Sequence, residues 1–147
     1  MTWMYVLWFA VIALAVVGSI VFNVVRMKKL KNATQNFLAQ NPNAAKVYLN
    51  AGYKVVSSDA VSVHLVDGGE PILFNKGTKA GFYVAPGAHT VEISYTHNRA
   101  GVIYRNVSTT TGSVQKTIAV EPGKEYSLGF DKKQGEFVFT ELAPGQN

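Results

Sequence analysis

The sequence predicts an all-β domain, an antiparallel β-sandwich of about seven or eight strands, preceded by one N-terminal transmembrane helix and a short helical connector. Three observations carry this. All 14 Lys and Arg and all 9 Asp and Glu lie at or beyond Arg26, which leaves the first 25 residues without a charged side chain. The hydrophobic period is helical from Met27 to Leu38 and becomes two from Tyr53 onward. Turn residues then recur about every eight to twelve positions, the spacing of short antiparallel strands. The expected organisation is a transmembrane helix over residues 1–25, a basic juxtamembrane helix and a short helix over 26–52, a β domain over 53–142 and a disordered tail over 143–147.

From Trp3 to Val25 the only clearly polar residues are Ser19 and Asn23, and at helical rise the stretch is about 35 Å long, enough to cross a bilayer with some tilt. Its β-branched run is acceptable as helix in hydrocarbon, where backbone N–H and C=O groups must pair within the segment. Trp3, Tyr5 and Trp8 mark one interface, and Arg26, Lys28, Lys29 and Lys31 mark the other. A cleaved signal peptide needs a basic start, a shorter apolar core and a small-x-small site, whereas here residues 2–25 carry no Lys or Arg, the apolar stretch is long, and RMKKLK follows it. Cations stay on the cytoplasmic side, so the expected orientation is N-terminus out and β domain in the cytoplasm, with an extracytoplasmic domain as the alternative. The lack of Cys fits a reducing compartment without requiring one. Asn32-Ala33-Thr34 and Asn106-Val107-Ser108 match the glycosylation pattern, which has meaning only in a lumenal setting. Ala15 and Ser19 form a small-xxx-small pair that would let a second helix approach; nothing else in the sequence supports a homo-oligomer.

Met27, Leu30, Ala33 or Thr34, Phe37 and Leu38 recur at spacings of three and four, so the helix should continue past the basic cluster as a stalk. Asn41-Pro42 stops it, because the residue before proline is pushed out of the helical region. A short helix from Pro42 to Gly52, capped by Asn41, is expected next.

In the β domain, Val61, Val63 and Leu65 alternate with Ser62 and His64, and Asp67-Gly68-Gly69 turns the chain. Short strands follow over 72–74 and 81–84. His89, Val91, Ile93 and Tyr95 then share one face of the clearest strand, opposite Thr90, Glu92, Ser94 and Thr96. Strands over 102–109 and 114–120 enclose NVSTTTGSVQKT, read as a solvent-facing edge hairpin or as a surface that another chain could join by strand addition. Tyr126, Leu128 and Phe130 form the next strand, and Phe137 and Phe139 lie in the last. Pro86-Gly87 and Pro122-Gly123 suit a turn in which Pro fixes φ and Gly takes the positive φ required after it.

The segments SVHLVDGGEPILF, GFYVAPGAHTVEISY and IAVEPGKEYSLGF, between Val61 and Phe130, resemble the small β-sandwich domains of the PEGA and DUF2846-like group. The likeness covers about half of the chain and rests mostly on turn residues. It implies a sandwich fold and an envelope-associated accessory module without catalysis. The chain departs from lipid-anchored members in lacking a Cys to acylate, and from PEGA modules in lacking the motif that names them.

Chemistry is sparse. His64, His89 and His97 are the only imidazoles and no Cys is present, so no dense metal motif exists. A metal pair would need His89 aligned with Asp67 or Glu92. Asp59, Asp67, Glu70, Glu121, Glu125 and Glu136 are placed mostly in turns. No G-x-S-x-G, P-loop, H-E-x-x-H or G-x-G-x-x-G motif occurs, and Lys76 to Gly81 reads as a hairpin turn. No catalytic, cofactor-binding or metal-binding residue is assigned, and no cofactor is expected. Nucleic acid is not expected as a partner, because the 10 cations beyond Asn32 meet 9 acids there and a net charge of +1 gives it little support. The expected partners are the lipid bilayer and other protein subunits, met through Tyr83, His97, Arg99, Tyr104 and Arg105. The sequence thus describes a membrane-anchored, non-catalytic binding or scaffolding module of a larger membrane assembly. The alternative is an extracytoplasmic envelope domain binding a wall polymer or glycan through aromatics such as Tyr83 and Tyr104.

Overall fold

The computed structural model describes residues 2–54, 57–101 and 106–143. Its helix and its β residues form two compact units, divided between Ala39 and Gln40. The first is helix α1, Thr2–Gln40, one helix that is long and apolar enough to cross a membrane. From Val11 to Leu30 its large apolar side chains are exposed around the whole circumference. In water such a surface would be costly. The basic cluster and the amphipathic stretch continue the same helix to Gln40 without a break.

At Asn41-Pro42 the helix stops as expected, and the amide of Ala44 donates to the carbonyl of Asn41 at 3.0 Å to close a turn. Beyond this turn the chain departs from the sequence expectation. The short helix expected before Gly52 is absent, and the chain instead forms β1 (Ala45–Leu49) and β2 (Ala51–Lys54). Ala45 and Val47 enter the core while Lys46 and Tyr48 point the other way. The run is too short for periodicity to separate strand from helix. Tyr48 is nonetheless only 3% exposed, because β1 sits in the middle of a sheet with large side chains beside it on both faces.

The remaining strands are β3 (Ser57–Val66), β4 (Ile72–Lys76), β5 (Lys79–Val84), β6 (Gly87–Ala100), β7 (Asn106–Thr110), β8 (Val114–Val120), β9 (Glu125–Asp131) and β10 (Glu136–Glu141). The described residues therefore contain ten strands rather than seven or eight. Sheet 1 has the order β10-β9-β1-β5-β4, and sheet 2 the order β2-β3-β6 with β7 and β8 both beside β6. Nor is the fold wholly antiparallel, since β1 and β9 pair in parallel, Val47 beside Tyr126 and Leu49 beside Leu128. A parallel pair needs a long crossover, and the whole of sheet 2 lies in the chain between these two strands.

Asn50 carries the chain from one sheet to the other, a corner made by a strand that changes sheets. Its amide donates to the carbonyl of Leu128 in sheet 1 at 2.9 Å, and its carbonyl accepts from the amide of Val61 in sheet 2 at 3.2 Å. Ser127 Oγ donates to Asn50 Oδ1 at 2.9 Å and holds the corner.

The expected edge hairpin is also corrected. β7 and β8 both run antiparallel to β6, with Thr110 opposite Thr96 and Val114 opposite Ile93, so three residues face two across a bulge. Thr111 bridges it: its amide donates to the carbonyl of Tyr95 at 2.8 Å, and its Oγ1 accepts from the Tyr95 amide at 2.9 Å. A second irregularity falls at His64, where β3 shifts register against β6.

Both sheets feed one apolar core. Val47, Phe82 and Leu128 come from sheet 1, Val91, Ile93 and Ile118 from sheet 2, all at most 2% exposed. The alternation seen in the sequence for β6, β9 and β10 is the alternation of this core, and that of β3 holds only through Val63: past the register shift Leu65 falls opposite Glu92, and Val66, opposite Val91, packs against the core in its place. Gly123, at φ 69°, takes the positive φ expected after Pro122, and the amide of Lys124 reaches the carbonyl of Glu121 at 3.4 Å across the turn.

Candidate functional site

The expected interaction residues are divided by the fold. Tyr83 lies on β5 in sheet 1, whereas His97 and Arg99 lie two residues apart on β6 in sheet 2. Tyr104, Arg105 and the tail over 144–147 fall outside the described residues. In α1, Trp3 and Trp8 are exposed, as are Arg26, Lys28, Lys29 and Lys31, and Tyr5 lies in the same helix.

His97 belongs to a polar cluster centred on Asp59, a residue that the sequence pattern groups with the turn acids. Asp59 is in strand β3, directly opposite His97, one step beyond the Val61–Tyr95 pair. It therefore has the inward phase at the end of the core. Its Oδ1 accepts from Tyr95 Oη at 2.5 Å and from His97 Nδ1 at 2.6 Å, and its Oδ2 accepts from Lys132 Nζ at 2.7 Å. Lys132 comes from the β9–β10 turn of sheet 1, so the carboxylate links the two sheets. Tyr95, 7% exposed, stacks on Phe130 of sheet 1 with ring centroids 4.2 Å apart.

The hydrogen bond from Lys132, followed by that from Tyr95, holds the Asp59 carboxyl well below the usual range. The same bond to Asp59 raises the ammonium of Lys132, and burial, then the bond to Asp59, raises the Tyr95 phenol. Both carboxylate oxygens of Asp59 are engaged within the cluster. The arrangement ties one end of the two sheets together. The signal for Asp59 was present in the sequence: carrying the Val61, Val63 phase back by one step places a carboxylate on the inward face.

The second histidine contact meets a condition set by the sequence. His89 does meet Asp67, its Nδ1 lying 2.5 Å from Oδ2, and its Nε2 lies 2.8 Å from the carbonyl of Ala85. Asp67 Oδ1 also accepts from the amide of Thr90 at 2.8 Å. The bond from His89, then that from Thr90, lowers the Asp67 carboxyl. Both imidazole nitrogens thus lie against oxygens of the fold itself, one of a carboxylate and one of a backbone carbonyl. Glu92, the other acid considered, accepts from Ser113 Oγ at 2.5 Å instead. His64 Nε2 lies 2.8 Å from Ser94 Oγ. Among the described residues no group of three His, Asp or Glu side chains gathers to hold a metal.

On the outer face of sheet 1, Tyr83 joins Phe74 and Tyr48. Phe74 meets Tyr48 edge-on at 5.3 Å and Tyr83 at 4.7 Å between centroids. Tyr48 Oη is buried with no hydrogen-bond partner among the described residues. A buried hydroxyl left unpaired costs about 1–3 kcal/mol. Tyr48→Phe is therefore expected to raise the stability of the β unit by about 1 kcal/mol, read as a higher urea midpoint at unchanged slope. A lower midpoint would show that the hydroxyl has a partner in solution.

No family model matches the chain, and neither a curated protein nor a solved structure does. What fold and side chains define is a class only: a mainly β unit of two sheets behind one apolar helix.

Proposed function

We propose that the chain is a single-pass membrane protein whose β unit, an end-clamped β-sandwich, is a non-catalytic binding or scaffolding module within a larger membrane assembly. The observation that carries this is helix α1: apolar side chains exposed on all sides from Val11 to Val25, then four exposed cations within six residues. That surface requires lipid or protein around it. The non-catalytic reading is supported by the histidines, each engaged by a neighbour inside the fold, and by the likeness of residues 61–130 to PEGA-like accessory domains. The cations after the helix favour a cytoplasmic β unit.

A cysteine at Gly112 tests the orientation in this Cys-free chain, since the position is exposed and an added side chain meets nothing within 4 Å. We expect protection from an impermeant thiol reagent until lysis, with Thr2→Cys labelled in intact cells, and cross-links to membrane subunits from the β unit. Labelling of Gly112→Cys in intact cells would reverse the orientation. It would favour the second reading, an extracytoplasmic domain binding a wall glycan, for which the Tyr48, Phe74 and Tyr83 cluster is the candidate aromatic surface. A chain extracted by alkaline carbonate would overturn the membrane reading itself.

A further inference from the structure

The ten cations and nine acids beyond Asn32 nearly cancel, but the topology separates them along the strands. The entry end of the β unit holds the start of β1, the β3–β4 and β8–β9 turns, the link from β5 to β6 and the end of β10. The far end holds the Asn50 corner, the start of β3, the β4–β5 and β9–β10 turns and the end of β6.

At the far end the described charged side chains are Lys76, Lys79, Arg99, Lys132 and Lys133 against Asp59, Asp131 and Glu136. At the entry end and in the strand halves beside it, Lys46, Lys116 and Lys124 face Asp67, Glu70, Glu92, Glu121, Glu125 and Glu141. The unit is a charge dipole, basic at the far end.

Pairing sharpens the contrast. Lys46 binds Glu125 at 3.0 Å, and Lys124 binds Glu121 at 2.6 Å and Glu141 at 2.9 Å. Lys116 donates to the carbonyl of Phe137, and Lys132 is held by Asp59. Lys76, Lys79, Arg99 and Lys133 are exposed and form no ion pair among the described residues. All four lie at the far end. Unpaired surface cations confined to one end give a field that steers and orients an oppositely charged partner.

Asp131 and Glu136 stand in the same hairpin as Lys132 and Lys133. Carboxylates interspersed among the cations repel a continuous polyanion and suit a partner whose acids are spaced among neutral residues. We propose that this far end, through Lys76, Lys79, Arg99 and Lys133, is the docking surface for an acidic segment of a partner protein. The inference rests on the reading of the β unit as a binding module and names the chemistry of its partner.

The test uses the full chain in nanodiscs of neutral phosphatidylcholine and a fluorescent probe peptide with four glutamates separated by Gly-Ser. Two variants each lose four cations. One carries Lys76→Gln, Lys79→Gln, Arg99→Gln and Lys133→Gln; the other carries Arg26→Gln, Lys28→Gln, Lys29→Gln and Lys31→Gln. At low salt the first is expected to bind the peptide at least fivefold more weakly and the second within twofold of the parent, with the parent's binding falling as salt rises. Equal loss in both variants, loss only in the second, or tighter parental binding of pentathymidine or of phosphatidylglycerol vesicles than of the peptide would overturn the proposal. Subunit cross-links in cells separate the two levels. If the parent forms them and the first variant keeps them all, the far-end surface fails while the module reading stands; if the parent forms none, the module reading fails.

Discussion

Alanine at Gly81 is expected to destabilise the β unit by about 3 kcal/mol or more, the upper range for overpacking a fixed site. Gly81 sits on β5 opposite Tyr48 of β1 and Phe74 of β4. A Cβ there would come within 2.4 Å of the carbonyl oxygen of Val47 and 2.7 Å of Phe74 Cζ. The carbonyl belongs to the central strand of sheet 1, hydrogen-bonded on both sides, and cannot move without disturbing both ladders. The Phe74 ring lies over the glycine and is fixed from both flanks by Tyr48 and Tyr83. Against a total stability of about 5–15 kcal/mol for a domain, such a loss raises the unfolded-to-folded ratio about a hundredfold. Urea titration of the full chain in detergent, followed by the near-ultraviolet signal of its tyrosines, measures it. Introducing Gly81→Ala into Phe74→Ala, with Phe74→Ala as the reference, distinguishes the causes: the clash with the Val47 carbonyl remains, so most of the loss should persist. A single variant within 1 kcal/mol of the parent would show that β1 and β5 part more easily than their register implies.

The elements legible in the sequence are those whose cause is local. Helix α1 follows from an uncharged run and a basic flank, β6 from strict alternation between His89 and Thr96, and the turn at Gly123 from the Pro-Gly pair before Lys124. The elements misread depend on partners far along the chain. Residues 45–49 become a strand because β5 and β9 present open ladders on either side of them, and Glu125 to Leu128 lie about eighty positions away. The bulge at Thr111 to Ser113 exists only against β6. The charge dipole was hidden for the same reason: a balance of ten against nine says nothing of where strands and turns carry each sign.

The Asp59 cluster is the sharpest case, since its members sit 36, 38 and 73 positions from the carboxylate, and it supports the second large effect. Asp59→Ala is expected to cost about 3 kcal/mol at pH 7, since removing one member strands buried or charged partners. Tyr95 Oη would lose its acceptor inside the end of the core, and Lys132 and His97 would be left close together as unopposed donors. The effect should depend on pH with a definite sign. The folded carboxyl is held below its ordinary value, so the unfolded chain takes up the proton first and stability is lost as pH falls. The contribution is complete above about pH 5 and drains as the medium passes below about pH 4, where the unfolded carboxyl titrates. Asp67, lowered by His89, adds a slope of the same sign that Asp59→Ala leaves in place. Urea midpoints of parent and Asp59→Ala should therefore differ most at neutral pH and draw together as the pH falls below about 4, where the unfolded chain's carboxyl takes up its proton while the folded one keeps its charge. A gap of equal size at both ends would mean that Asp59 acts by filling space, and that the carboxylate does not hold the two sheets together.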